Sequence, residues 1–536
     1  MKETDSDTLN QQNGWMSSVN PATRGCCGKV KISSPTEIDV AVQRARDSFS
    51  SWRNLGLDKR MKIMKRAQQL LLNKGESVAR LITEEMGRPL VESLSIEVVG
   101  TIDLMDYYVR NSKTFLRNHS LPLHNLFFKR RKSLIVFEPL GVMGVISPWN
   151  WPLLIPMGGI VPALLAGNTV VFKPSEITPL MGMEIQKLLH DAGVPEGVFQ
   201  VVHGYASCGR SLVDSAVEKV FFTGSTEIGQ KVMSLAAQSL KSVVLEMGGN
   251  DPAIVCEDAD LENCTSGILW GGFNNCGQNC NSIERVFVEQ RILDPFIELL
   301  LKKVEKLRIG DGLDPDIDLG PVATDMQLSK MASVVASAVE RGGKILAGGQ
   351  IMDSRTGYFF KPTVILWGKS LTRVPDEEIF GPLIHVIPVS NVHEAVLWSN
   401  KSSFGLSASV WTRNLKKGQA IARKIESGSV MVNDSVVSFG ISEASWTGVK
   451  KSGIGWTHGQ KGLDEMVNIK YICIDTQFRL QKFWWFPYGE KMIRAMKQGM
   501  NFLFSVKLIK RLTAIPQTLK YFAGYLFLNR KRKDKW

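Results

Sequence analysis

Cysteine and histidine are scarce in this chain of 536 residues: eight Cys and seven His. The cysteines at 26, 27, 208, 256, 264, 276, 280 and 473 include no CxxC pair. So sparse a set is no disulfide framework, and with so few His it offers no zinc site; no metal is expected. Residues 1–19 are polar and lack an apolar signal core, so the expected location is cytoplasmic, with reduced thiols. Internal repeats and low-complexity tracts are also missing. Charge is absent from Pro139 to Phe172, which a hydropathy window would take for a membrane span. Pro148, Pro152, Pro156 and Pro162, with Asn150 and Asn168, argue instead for strand, loop, buried helix and strand.

The net charge of +13 suggests nucleic acid until it is located. Fourteen Lys and Arg against Glu490 and Asp534 lie between Phe478 and Trp536, so this tail carries +12 and the body only +1. A neutral body argues against a nucleic-acid partner, and the asymmetry points to two modules.

Thr36 or Ser34 can cap a helix with apolar residues at Ile38, Val42, Ala45 and Phe49, and amphipathic runs continue through Leu104. The period changes at 121–137, where Leu121-Pro122-Leu123 and Ser133-Leu134-Ile135-Val136-Phe137 suggest a hairpin. Short apolar runs then alternate with helical segments: 170–172, 199–202, 219–222 and 242–245, followed by a second block from Pro252 to about Val432. Continuous apolar strands of this kind are buried in parallel sheets, which take ligands at their carboxyl ends. Those ends carry Lys173-Pro174-Ser175-Glu176, Thr223-Gly224-Ser225 and Glu246-Met247-Gly248-Gly249.

Cys280 follows Gly271-Gly272-Phe273-Asn274-Asn275-Cys276-Gly277-Gln278-Asn279 and precedes the strand-like run Arg285–Val288. A thiol on such a loop can attack a carbonyl if it is activated and the oxyanion is held. Taken alone, an intracellular Cys is more often a small buried hydrophobe. Asn150 alone reads as a loop cap between prolines, Glu246 as a strand-end acid, Lys173 and Glu176 as a solvated loop pair, and Trp149 as core filling.

The set Pro148-Trp149-Asn150-Trp151-Pro152, Lys173-Pro174-Ser175-Glu176, Phe222-Thr223-Gly224-Ser225, Leu245-Glu246-Met247-Gly248-Gly249, Gly277-Gln278-Asn279-Cys280 and Glu378-Ile379-Phe380-Gly381-Pro382 resembles the aldehyde dehydrogenase superfamily in order and spacing. The resemblance runs from about Asn20 to Lys470. It implies an α/β fold with a Rossmann-type cofactor domain, an α/β catalytic domain and a small β oligomerisation element. The corresponding boundaries are 1–118 with 138–246, 247–448, and 119–137 with 449–477, leaving 478–536 as a basic amphipathic tail. The tail and Trp484-Trp485-Phe486-Pro487-Tyr488 resemble a membrane-associated plant and fungal branch.

The resemblance also implies roles. Cys280 is the nucleophile, Asn150 and the Cys280 N–H form the oxyanion site, and Glu246 activates the hydrolytic water. Cofactor contacts are Trp149, Lys173, Ser175, Glu176, Gly224, Ser225, Met247, Glu378 and Phe380. Glu176 near a ribose 2′-oxygen favours NAD, with NADP not excluded. The expected partners are a small aldehyde and further copies in a homodimer or homotetramer. The expected aldehyde is aliphatic, of medium or long chain. Two positions depart from the pattern: Asn250 stands where Lys is common, and Trp456 where Arg is usual.

The tail intersperses Phe483-Trp484-Trp485-Phe486, Ile493, Met496, Met500, Phe502, Leu503, Val506, Leu508 and Ile509 with basic residues. That pattern suits a helix lying on a membrane surface. Its apolar run Tyr521–Leu528 is far short of the ~20 residues a helix needs to cross a bilayer.

Overall fold

A computed structural model describes residues 14–125, 128–352, 356–368, 374–476, 482, 484–486 and 488–530. The chain divides into two units, one of residues 14–117 and 137–468, the other of 118–136 and 469–530.

The larger unit is built on two sheets. Strands Val142–Ile146, Thr169–Lys173, Phe199–Val201, Lys219–Thr223 and Ser242–Glu246 are parallel, and Gly453–Ile454 adds an antiparallel edge beside Ser242–Glu246. Val142–Ile146 lies between Lys219–Thr223 and Thr169–Lys173, so the chain leaves it in both directions. Crevices for ligands open at such a switch point. Helices cover both faces. Leu57–Met86 and Leu154–Ala166 contribute to the core on one side, and Pro35–Asn54 and Ala206–Asp214 to the core on the other. Ser34 caps Pro35–Asn54 through a reciprocal box with Glu37. The charge-free stretch becomes strand, loop, helix and strand, and every residue of Leu154–Ala166 is buried. A helix enclosed on all sides has no face for a charge.

The second sheet runs Lys344–Ala347, Thr363–Leu366, Leu383–Val389, Ile283–Glu289, Asp251–Val255, Ser407–Trp411 and Ser429–Val432. It is parallel except between the first two strands. Strands Asp251–Val255 and Ile283–Glu289 are wholly buried, and their charged residues Asp251, Glu284, Arg285 and Glu289 are buried with them.

A third sheet, most of whose residues belong to the smaller unit, orders Val467–Asp475, Arg131–Pro139 and His119–Ser120. The hairpin expected from Leu121–Leu123 is displaced: His119–Ser120 pairs with Leu134 and Ile135, and Leu121 donates one further N–H to Ser133 O. Pro122 has no N–H with which to continue the ladder. Gly453–Ile454, within the stretch expected to bridge from residue 449, pairs with Leu245 and Glu246 in the first sheet.

Helices Glu490–Phe504 and Leu508–Arg530 pack on each other. Among the described residues no helix is long and apolar enough to cross a membrane. Trp484 packs edge-on against Phe128 and under Arg131, while Trp485, Phe486 and Tyr488 are exposed. Phe483 and residues 531–536 lie outside the described residues.

Candidate active site

The turn before Cys280 is left-handed at three successive residues: Asn275 (φ 50°), Cys276 (φ 56°) and Gly277 (φ 69°). For Asn and Cys such a conformation is strained and must be held from outside. Glu92 Oε2 accepts the Asn275 N–H at 2.9 Å, the Asn275 side chain donates to Gln278 O and Asn150 O, and Gln278 Oε1 accepts from Ala323 N. At Gly277 any side chain would run into the Gly381 backbone. The chain then passes through a half-buried Cys280 into Ile283–Glu289.

Asn150 sits on the loop between Val142–Ile146 and Leu154–Ala166, with its Nδ2 donating to Gln278 O at 3.1 Å. An amide nitrogen carries two hydrogens, so a second remains for an oxyanion beside Cys280. The Asn150 carbonyl also receives Arg88 Nη2. Arg88 is fully buried against Glu97 at 3.5 Å and over the Trp151 ring at 4.1 Å. Glu97 Oε2 takes the Leu153 and Leu154 N–H groups that open the buried helix. Sequence reasoning missed Arg88, Glu92 and Glu97. Their signal was only that three charged residues fall within amphipathic helical segments.

Glu246 ends Ser242–Glu246 and is buried, with no hydrogen-bond partner for Oε1 among the described residues. Burial pushes its carboxyl up to about 8. Burial, then Glu246, Asp251 and Glu378, hold the Cys280 thiol well above its usual range. The backbone brings these groups near one another: a Cβ at Gly248 would meet the Glu378 carboxylate, and one at Gly249 the Cys280 carbonyl and Asp251. Cys276, fully buried near Glu92, is pushed above the usual range as well and has no such set of carboxylates around it.

Lys173 closes Thr169–Lys173 and lies 3.1 Å from Glu176. Burial raises the Glu176 carboxyl, but Lys173 and hydrogen bonds outweigh it and hold the group below the usual range. The Ser175 hydroxyl accepts Ile177 N, and Ser225 caps Thr226–Ala237 by accepting Ile228 N. Gly224 N–H donates to Glu246 O at 3.0 Å. Met247 Sδ lies so close to Gly229 that no Cβ fits there.

Trp149 meets Phe380 edge to face at 5.4 Å. The Glu378 carboxylate rests on Gly248, and burial, opposed by Lys330, pushes it up to about 7. Glu284, also missed, accepts the Ile379 and Phe380 N–H groups, and Gln327 Nε2 donates to both carbonyls. The Asn250 side chain reaches Pro375 O and Glu377 O, tying the segment before Glu378, and Lys461 sits 3.6 Å above Trp456. Thus the structure brings Cys280, Glu246, Asn150 and Glu378 together and places Lys173, Glu176 and Ser225 along the same sheet's carboxyl edge. Among the described residues no cluster of His, Cys, Asp and Glu could hold a metal.

Residues 8–472 match the aldehyde dehydrogenase family. The chain belongs to that family. It is 37% identical over 457 residues to the mitochondrial succinate-semialdehyde dehydrogenase of Arabidopsis thaliana, covering 85% of each chain. An E. coli NADP-dependent enzyme matches with a TM-score of 0.83 at 33% identity, over 86% of this chain and 95% of that one. An aldehyde dehydrogenase from Bacillus cereus, solved as an NAD+ complex, matches with a TM-score of 0.82 at 32% identity, over 86% and 94%. As an aldehyde dehydrogenase, the protein is an oxidoreductase that acts on an aldehyde. The smaller unit's helical segment from Glu490 onward lies beyond the matched residues.

Proposed function

We propose that the protein oxidises an aldehyde to a carboxylic acid with NAD, using Cys280 as nucleophile and Glu246 as base. The observation that carries this reading is that the Cys280 backbone packs against Gly249, three residues beyond the buried Glu246, so closely that a Cβ there would meet the Cys280 carbonyl. A base with a pKa near 8 can take a proton close to neutral pH, and the protonated thiol needs one that does. Cys280 Sγ adds to the aldehyde carbon, and the Asn150 amide with the Cys280 N–H stabilises the oxyanion. Loss of hydride leaves a thioester on Cys280. Once the proton taken from the thiol has left Glu246 for solvent, the carboxylate removes a proton from water as the water oxygen bonds the acyl carbon and the C–S bond breaks, releasing the Cys280 thiolate.

The residues present fit a dinucleotide. Lys173 and Glu176 form an ammonium–carboxylate pair at a strand end, the ammonium buried and the carboxylate partly exposed, suited to ribose hydroxyls. The helix beginning at Thr226 presents its N-terminal end, suited to a pyrophosphate. Trp149, Met247, Glu378 and Phe380 would line the nicotinamide side. When bound, the cofactor accepts the hydride. The solved relatives include an NADP-dependent enzyme and an NAD+ complex, and Glu176 favours NAD here because a carboxylate repels a 2′-phosphate.

Two alternatives predict other outcomes. A coenzyme A-acylating dehydrogenase has no use for a water-activating carboxylate, and a catalytically silent scaffold has no use for Cys280, Asn150 and Lys173 besides. NADH formation with a panel from succinate semialdehyde to long aliphatic aldehydes, with and without coenzyme A, tests all three. Turnover without coenzyme A supports hydrolysis; dependence on it, or no turnover with any aldehyde, overturns it.

We further propose a medium- or long-chain aliphatic aldehyde taken at a membrane surface. Ile493, Met500, Phe504, Val506, Leu508, Ile509 and Leu512 are exposed beside Arg494, Lys497, Lys507, Lys510 and Arg511. Apolar and basic groups so mixed suit an anionic bilayer face. Flotation of the full chain with anionic liposomes, and loss of flotation in a 1–477 truncation, is the expected result; equal behaviour of both overturns it. Strand Val467–Asp475 exposes Ile469, Tyr471, Ile472 and Ile474, which supports a homodimer or homotetramer.

A further inference from the structure

Gly87 ends the helix Leu57–Met86 in a left-handed cap, and the stretch that follows carries three buried charges, Arg88, Glu92 and Glu97. Taking charges out of water costs more than their pairing returns unless every partner is in place, so such a cluster is a weak device for stability. Here the partners are incomplete. Arg88 Nη1 and Glu97 Oε1 stand 3.5 Å apart, and neither atom, nor Arg88 Nε, has a hydrogen-bond partner among the described residues. What the cluster does hold is the backbone of the active site.

The chain between the two carboxylates is wound as a π-helix, Ser93–Val98. Five residues of α-helix would set Glu92 and Glu97 about 140° apart. A turn closed by i→i+5 hydrogen bonds returns them to one face. Glu92 Oε2 accepts the N–H of Asn275, the first residue of the left-handed turn before Cys280, at 2.9 Å. Glu97 Oε2 accepts the Leu153 and Leu154 N–H groups at 3.1 and 2.7 Å. Arg88 takes hold between those two points: Nη2 donates to the Asn150 carbonyl, and the guanidinium lies 4.1 Å over the Trp151 ring. The same carbonyl accepts Asn275 Nδ2 at 3.2 Å, so both its lone pairs are engaged. At the other end of the residue, Asn150 Nδ2 gives one hydrogen to Gln278 O at 3.1 Å. With the carbonyl clamped and the amide fixed in rotation, the remaining hydrogen has one direction. A donor fixed in this way needs no reorganisation when an oxyanion forms.

We propose that Arg88 is a positioning residue for the oxyanion site, clamping the Asn150 carbonyl so that the free amide hydrogen stays aimed at the oxygen of the aldehyde bound to Cys280. This rests on Asn150 as the oxyanion donor. Arg88 acts only through Asn150, and Glu92 and Glu97 complete the frame by fixing the nucleophile's turn and the start of the buried helix. Without the guanidinium the carbonyl keeps one donor, the Asn275 amide.

A double-mutant cycle on the single-turnover rate of NADH formation, by rapid mixing with saturating NAD and the best aldehyde of the panel above, tests this. Asn150→Ala should slow that rate about a hundredfold. Arg88→Met should slow it about tenfold and leave the KM for NAD within about twofold; in the Asn150→Ala background it should add almost nothing. Arg88→Lys keeps a charge beside Glu97 and is expected to fold. Its single nitrogen cannot fork between Glu97 and the Asn150 carbonyl, so it should lose about fivefold with the same non-additivity. Melting of the NAD-bound protein shows which variants fold, and Arg88→Lys carries the cycle if Arg88→Met does not. A packing role would give equal losses with and without Asn150. Such equal losses, a wild-type rate in the folded Arg88 variants, or a change confined to the KM for NAD overturns the proposal. If Asn150→Ala is itself normal, the oxyanion reading fails and the role of Arg88 with it. If Asn150→Ala is slow while the Arg88 variants are normal, only the role of Arg88 fails.

Discussion

Glu284 holds Phe380: one carboxylate oxygen accepts the Phe380 N–H at 2.9 Å while also accepting that of Ile379. Phe380 has a positive φ of 58°, so its ring meets Trp149 only because the backbone is pinned in a strained turn. Glu284→Ala leaves two N–H groups unsatisfied, at about 1–3 kcal/mol each. We expect a KM for NAD raised about tenfold or more and a lower melting temperature. Glu284→Gln, which keeps an acceptor oxygen and removes a buried acid pushed up to about 8, should stay near wild type. NAD titration and thermal melting of both variants check this.

Cys280→Ala should abolish NADH formation and leave NAD binding intact, because the thiol forms the covalent bond. Cys276→Ala should be mild, since Cys276 is buried away from the three carboxylates that surround Cys280. Similar losses in both variants would count against the assignment.

Glu246→Gln should give one burst of NADH and then little turnover. Hydrolysis in the wild type should rise with pH through about 8, as Glu246 loses its proton. Stability runs the other way. The folded pKa lies above the unfolded value, so the acid's contribution is full below about 4.5 and declines as pH rises toward 8. Glu246→Gln should therefore melt higher than wild type at pH 8, with the gain shrinking toward pH 5. Rapid-mixing kinetics and melting curves across that range measure both.

Glu176→Gln should narrow the preference for NAD over NADP by removing a carboxylate held ionised by Lys173. The ratio of kcat/KM for the two cofactors is the readout, and an unchanged ratio would show that something other than this charge rejects the 2′-phosphate.

Local pattern was enough to read the parallel strands and the buried helix after Asn150. A strand covered on both faces is mostly apolar, and prolines in a charge-free run argue against a membrane span. The motif residues were legible for a related reason: strand ends are marked by the change from apolar runs to Lys, Gly, Ser and Glu at 173–176, 223–225 and 246–249. The displaced strand at His119–Ser120 and the pairing of Gly453 with Glu246 were not legible, because short segments carry little pattern and their partners lie far along the chain. The same holds for Glu92, which is 183 residues from Asn275, and for the left-handed turn it supports. Sequence alone determined the family and the residues proposed to bear its chemistry. Tertiary structure decided which buried charges meet and how the turn before Cys280 is held, because each depends on long-range closure that neighbouring residues do not encode.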